Sequence, residues 1–263
     1  MRTRLVPAAL LAVAVFAVPA CARRDAQPAT RNDDPPGTGT FSIIAYDSAT
    51  EMWGGAVQSR VYSVGNGVLW AEAKVGVVAT QASVDVGYGP AALALLRQGK
   101  SAAEVLKTVM DNDKDPSPRG MSKGGRQFAV IDSRGGVAAY TGPTAPDSAR
   151  DRQAKWVSAQ GNTLAHPAVA DSMLAAYLRT PGHMALRLVA ALEAGQAAGG
   201  DRRGQQSAAL LIVKKCGGVW LHNDVVLRLQ VDDSPTPIAD LKRLVRLPTP
   251  RPTTNAANDP TCA

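Results

Sequence analysis

Thr40-Phe41-Ser42-Ile43-Ile44-Ala45-Tyr46-Asp47 is where a polar leader ends and a chain able to bury itself begins. Phe41, Ile43 and Ala45 alternate with Ser42, Ile44 and Tyr46, a period-2 pattern that predicts a strand packed on one or both faces. Gly39 stands immediately before it. A threonine that opens a core strand behind a glycine can serve as a nucleophile. Once the Gly39–Thr40 bond is cut, the hydroxyl can be deprotonated by the residue's own α-amino group. The plainer alternative is a β-favouring residue at a strand edge. Both readings stay open at this point.

Working outward, the 263 residues are 45% hydrophobic and 19% charged, enough apolar material for one sizeable core. Aromatics are few, so small aliphatic side chains must build it. The net charge is +7, but the basic residues are scattered and not interleaved with aromatics. A nucleic-acid surface would need such a patch, so the charge reads as a solvated face.

Toward the N-terminus, Arg2 and Arg4 precede an apolar run from Leu5 to Val18. It is too short for a comfortable membrane span and reads as a signal peptide over residues 1–21. The end, Val18-Pro19-Ala20-Cys21, resembles a lipobox whose Cys21 would be acylated, although Pro19 departs from the usual pattern. The expectation is an exported protein, periplasmic or anchored at the outer membrane as a lipoprotein. Lipid on Cys21 would leave Cys216 and Cys262 either to pair as a disulfide or to stay as two thiols. Residues 22–39 read as a flexible linker. Residues 248–263, rich in Pro and Thr, are expected without regular structure. The folded unit is therefore 40–247.

Inside that unit, strands are predicted at 53–59, 75–81, 127–132, 136–141, 156–160, 207–213, 219–222 and 225–231. Helices are predicted at 91–97, 102–110, 167–178, 184–193 and 237–245, with Ser101 and Glu104 forming a capping box before the second. Residues 143–152 read as irregular. The run Ser207–Val213 is the most hydrophobic strand and belongs at the centre of a sheet. Paired helices between blocks of hairpins predict an α+β fold of packed antiparallel sheets flanked by helical layers.

Several segments carry a resemblance. Thr40-Phe41-Ser42-Ile43, Gln58-Ser59-Arg60, Thr80-Gln81-Ala82, Tyr88-Gly89, Gln160-Gly161-Asn162 and the block from Ala194 to Ala209 are similar to the bacterial domain of unknown function 1028. Val231-Asp232-Asp233-Ser234-Pro235 also resembles it, with Ser234 where a histidine is expected. The resemblance implies a four-layer αββα sandwich like that of the N-terminal-nucleophile (Ntn) hydrolases. It implies a reaction only by analogy, since function lives in the site.

On that reading Thr40 attacks an amide or peptide-like bond. Ser59, Arg60 and Asn162 are candidate catalytic partners, and Gln81, Tyr88, Asp201 and Arg203 candidate substrate-binding residues. Asp201 and Arg203 are equally readable as an ion pair bracing the crossing into the core strand. Lys74 sits about where a proteasome-type site has its lysine, whereas Gln58 replaces the acidic partner expected there. The three histidines have no ligand spacing and no glycine-rich nucleotide fingerprint is present, so no metal and no cofactor is expected. The partner expected is a small amide or peptide-like substrate, with membrane contact only through the lipid. The rival class is a non-catalytic envelope protein that binds a ligand or a partner domain on the same fold.

Overall fold

The computed structural model describes residues 39–115, 122–248, 250–255 and 257–262. The expected signal peptide with Cys21, and the linker apart from Gly39, lie outside them.

Among the described residues ten strands form two antiparallel sheets. The six-stranded sheet contains β1 (Thr40–Asp47), β2 (Met52–Ser59), β7 (Arg150–Ala154), β8 (Val157–Asn162), β9 (Ser207–Val213) and β10 (Val225–Val231), in the order β10-β9-β2-β1-β8-β7. The four-stranded sheet contains β3 (Leu69–Glu72), β4 (Gly76–Ala82), β5 (Arg126–Asp132) and β6 (Val137–Thr141), in sequence order. The strand that opens the fold thus lies between β2 and β8. Thr40 pairs in register with Ser59 on one side and Asn162 on the other.

The alternation along β1 decides what each side chain meets. Phe41, Ile43 and Ala45 face α3 (Ala168–Arg179), α4 (Met184–Ala197) and α5 (Pro237–Val245), together with Leu188, Leu192, Leu210 and Ile212. Ile44 faces the second sheet, against Trp53, Val57, Val77, Ile131 and Leu211. The outer face of the four-stranded sheet packs Val78, Phe128 and Val130 on α1 (Tyr88–Arg97) and α2 (Ala102–Asn112). Both sheets therefore have two covered faces, and their strands read as almost continuous buried runs. The α+β class and the two antiparallel sheets follow the sequence reading.

Local signals explain where helices begin. Ser101 accepts from the Glu104 backbone N–H while Glu104 reaches back to Ser101, a complete capping box for α2. Asp132 adds to this from the sheet. Its carboxylate accepts from Ala102 N at 3.0 Å and from the turn amides of Arg134 and Gly136, each at 2.9 Å, so one side chain ties the β5–β6 hairpin to the start of α2.

Four expectations need correction. Residues 69–72 form a strand that the sequence did not announce, and β7 occupies part of the stretch read as irregular. Residues 219–222 are turns and bends, not a strand. The tail is held to the body. Cys262, in a 3-10 turn at Pro260–Cys262, is joined to Cys216. The Thr253 hydroxyl donates to the Val219 carbonyl, His222 N donates to Thr254 Oγ1 at 3.1 Å, and His222 Nε2 lies 2.8 Å from Asp259 Oδ2. A polar composition predicted no core contact here, but one cross-link and a few hydrogen bonds are enough to order a short segment.

The disulfide closes a separation of 46 residues. Loop-closure entropy puts its contribution at up to about 4 kcal/mol. A Cys262→Ser variant is expected to lower the thermal midpoint and raise hydrogen exchange in 214–224 and in the tail, while β1, β2 and β9 keep their protection.

Candidate functional site

The space between the sheets changes character along its length. Around Tyr46, Trp53 and Ile131 it is apolar, and Tyr46 stacks on Trp53 with ring centroids 4.6 Å apart. At the other end the inward positions are Thr40, Ser42, Ser59, Gln81, Gln127, Ser158, Gln160 and Asn162, all buried. Polar groups out of water must be paired, and here they pair with one another. Ser158 Oγ donates to Gln160 Oε1 at 2.8 Å, Gln160 Nε2 to Ser42 Oγ at 2.6 Å, and Ser42 Oγ to Gln81 Oε1 at 2.7 Å. Gln81 Nε2 donates to Gln127 Oε1 at 2.7 Å and to the Thr40 carbonyl at 3.4 Å. Asn162 Nδ2 donates to the same Gln127 oxygen at 3.1 Å. The ladder crosses from one sheet to the other and ends at Thr40.

Thr40 Oγ1 lies 3.1 Å from Ser59 Oγ. The Ser59 hydroxyl also donates to the carbonyl of Gly39. A hydroxyl carries one proton, so the Thr40 hydroxyl is the donor to Ser59. The result is a directed relay, Thr40 O–H to Ser59 O–H to the Gly39 carbonyl. Arg203 Nη2 donates to that same carbonyl at 2.8 Å.

Arg203 is aimed by Asp201. The buried carboxylate accepts from Arg203 Nη2 at 2.8 Å, Nε at 3.1 Å and N at 2.9 Å, and from Arg60 N at 3.2 Å. The loop that carries the pair sits against the chain after β8 through Ala165 N to Gly200 O at 2.9 Å and Arg202 N to Thr163 O at 3.0 Å. Gly200 enters this loop at φ +58°, where its Cβ would also press on the Gln196 amide at 2.6 Å. Gly39 has a different reason to be glycine. A Cβ there would lie 2.7 Å from Asp201 Oδ2 and 2.8 Å from Arg203 Nη2 and Thr163 Cβ.

Beside Thr40 is a cavity of about 150 Å³, walled by Val61, Val64, Val68, Val84 and Val86, with Tyr62 at its rim. Its wall at Val84 and Val86 is steadied from behind. Arg126 Nη1 donates to Ser83 O at 2.6 Å, and Arg126 Nε and the Tyr88 hydroxyl both donate to Asp113 Oδ2, at 3.1 and 2.5 Å.

Of the residues singled out from sequence, Thr40, Ser59, Asn162, Gln81, Asp201 and Arg203 share this end of the sandwich. Arg60 contributes its backbone N–H, while its Nη1 donates to Gln206 Oε1 at 2.9 Å. Tyr88 faces the other way, onto Phe128 and Asp113, and braces the cavity loop. Lys74 is not at the site. It lies in the β3–β4 turn beside Glu51, Met52 and the disulfide, at the end of β2 opposite Ser59, seven residues or roughly 23 Å away along the strand. Sequence reasoning passed over Ser42, Gln127, Arg126 and Asp113. Polar side chains at inward positions of otherwise apolar strands were the available signal for the first two. Among the described residues no three His, Cys, Asp or Glu side chains converge as a metal site.

Comparison with known proteins gives a family and a similar solved structure. The profile of a family of unknown function (DUF1028) matches residues 40–241. A crystal structure of protein SPO2555 from Silicibacter pomeroyi, assigned to the same family, superposes with a TM-score of 0.69 at 29% identity. It covers 78% of this chain and 84% of that one. No curated protein matches the chain.

Two outcomes are expected. Arg203→Ala leaves the buried Asp201 carboxylate without its countercharge and should destabilise the full chain by about 3–5 kcal/mol in denaturant titration. Burial pushes the Asp113 carboxyl up, but hydrogen bonds from Tyr88 and Arg126 outweigh it and hold the group below the usual carboxylate range. A carboxyl depressed on folding stabilises above its unfolded value of about 3.9, and loses that contribution as the pH falls through the folded value. The stability gap between the protein and Asp113→Asn should therefore be full near neutrality and close in acid.

Proposed function

The chain belongs to the DUF1028 family, whose function is unknown, and from its site we propose an exported amide hydrolase of the N-terminal-nucleophile type, with Thr40 as nucleophile. The four layers then correspond to the αββα sandwich of those enzymes. One observation carries this reading. The hydroxyl of Thr40, through Ser59, points its proton at the carbonyl of the bond that would have to be cut to free its own amine.

The first reaction is on the chain itself. Thr40 Oγ1 attacks the Gly39 carbonyl carbon, its proton passes to Ser59, and the Ser59 proton passes to the carbonyl oxygen. Arg203 stabilises the charge developing on that oxygen. Collapse breaks the carbon–nitrogen bond and the nitrogen takes the proton, leaving an ester between Gly39 and Thr40. Water hydrolyses the ester to a Gly39 carboxylate and a free Thr40 amine. That amine then deprotonates Oγ1 for attack on a substrate amide, through an acyl-enzyme that water resolves. Lys74 is too distant to be the base, which leaves the role to the amine. Asn162, in register with Thr40, has a buried Oδ1 with no hydrogen-bond partner among the described residues, an acceptor for the liberated ammonium.

Cutting before Thr40 would also separate the domain from any lipid on Cys21. The leader supports export, and the enzyme released would act in the periplasm.

Intact mass and N-terminal sequencing of the full chain test the reading. The expected product starts at Thr40 and hydrolyses small amides. Thr40→Ala should stay uncut and inactive, and Ser59→Ala should be cut on the order of 100-fold more slowly. A wild-type chain that remains joined through Gly39–Thr40 and turns over no amide would favour the ligand-binding envelope protein instead.

A further inference from the structure

The proposed hydrolase has no substrate class, and the space around Thr40 narrows it. The group attached to the attacked carbonyl stays bonded to Thr40 from acylation until water releases it, so it must find room beside that residue. The flank occupied by Gly39 offers none. Asp201, Arg203 and Thr163 stand there closer than a single methyl would allow. The open space is the cavity on the other flank.

That cavity is built for an uncharged, apolar group. Five of its walls are valines, its polar groups come from Thr40, Tyr62, Ser63 and Gln81, and among the described residues no charged side chain lines it. The Gln81 amide is engaged with Gln127, Ser42 and the Thr40 carbonyl, so it is committed to the ladder and not to an incoming charge. The rim consists of Tyr62 and Val86, which are 65% and 50% exposed although both are large and apolar. Exposed apolar residues around an apolar hollow mark a surface meant to be covered. Its volume of about 150 Å³ matches an apolar cavity that takes one benzene molecule.

We infer that the Val61–Val68 and Val84–Val86 walls form the acyl pocket of this enzyme, selecting amides whose carbonyl bears a short branched or phenyl-sized apolar group. Acidic acyl groups are excluded, because a carboxylate there would be desolvated with no cation among the lining residues. Long chains are excluded by volume. The inference rests on Thr40 being the nucleophile.

The test uses the full chain as purified and the aminocoumarin amides of acetic, 4-methylpentanoic, decanoic and succinic acids. The expected kcat/KM for the 4-methylpentanoyl amide is about tenfold or more above each of the other three, since each methylene in a fitted apolar pocket discriminates by at least that order. Val86→Trp, at a half-exposed loop position where folding should be unaffected, fills the pocket. It should cost the 4-methylpentanoyl amide about tenfold more than it costs the acetyl amide. A flat acyl profile, a succinyl preference, or an indifferent Val86→Trp variant, with turnover that Thr40→Ala still abolishes, would overturn the acyl pocket and leave the hydrolase standing. Absence of any turnover that depends on Thr40 would overturn both.

Discussion

A buried amide or hydroxyl between two sheets has no water to turn to, and that constraint shapes this molecule more than any other. The hydrophobic half of the inter-sheet space packs without direction, through Ile44, Trp53, Val77 and Ile131. The polar half is directional. Ser42, Gln81, Gln127 and Gln160 each supply what the next requires, and a strand slipped by one residue would turn each of them toward a helix layer and break the ladder. The amides therefore specify register while the aliphatic residues supply most of the driving force. Thr40 stands at the end of this ladder, its carbonyl held by Gln81 and its hydroxyl by Ser59. Its position is determined from both sheets at once.

The two ends of the sandwich divide the work. At the Met52 end are the aromatic stack, the disulfide and the returning tail, which add rigidity and have no part in the chemistry argued for Thr40. At the Ser59 end are a buried ion pair, a hydroxyl relay and a small apolar hollow. Placing the charged pair at the edge of the core has a physical logic. The Asp201 carboxylate is fully covered yet receives four hydrogen bonds, so the guanidinium it holds stays oriented toward the Gly39 carbonyl. For Asp201 and Arg203 the structure shows an ion pair that braces the loop, with Arg203 Nη2 also bonded to the Gly39 carbonyl. The brace is what aims Arg203.

Much of the architecture was legible in the chain. Period-2 runs located most of the strands, the Ser101–Glu104 box located α2, and the hydrophobicity of Ser207–Val213 placed β9 inside its sheet. The failures have specific causes. Leu69–Glu72 is short and mixed in polarity, and becomes a strand because β4 offers an edge to pair with. Val219–His222 looked like a strand but lies in the disulfide-bound loop, where a tertiary cross-link overrode a weak propensity. Tyr88, which the resemblance puts among the substrate-binding residues, stands apart from Thr40: the start of α1 turns its ring toward Phe128 and its hydroxyl toward Asp113.

By itself the sequence determined the class of fold, the strand that opens it, and a threonine behind a glycine, because these depend on periodicity and on residue type within a few positions. It could not determine that Ser59 and Arg203 meet on one carbonyl, that Lys74 is carried to the far end, or that five valines from two loops enclose a hollow beside Thr40. Those facts join positions separated by up to 164 residues, and only the register of the strands and the path of the loops brings them together.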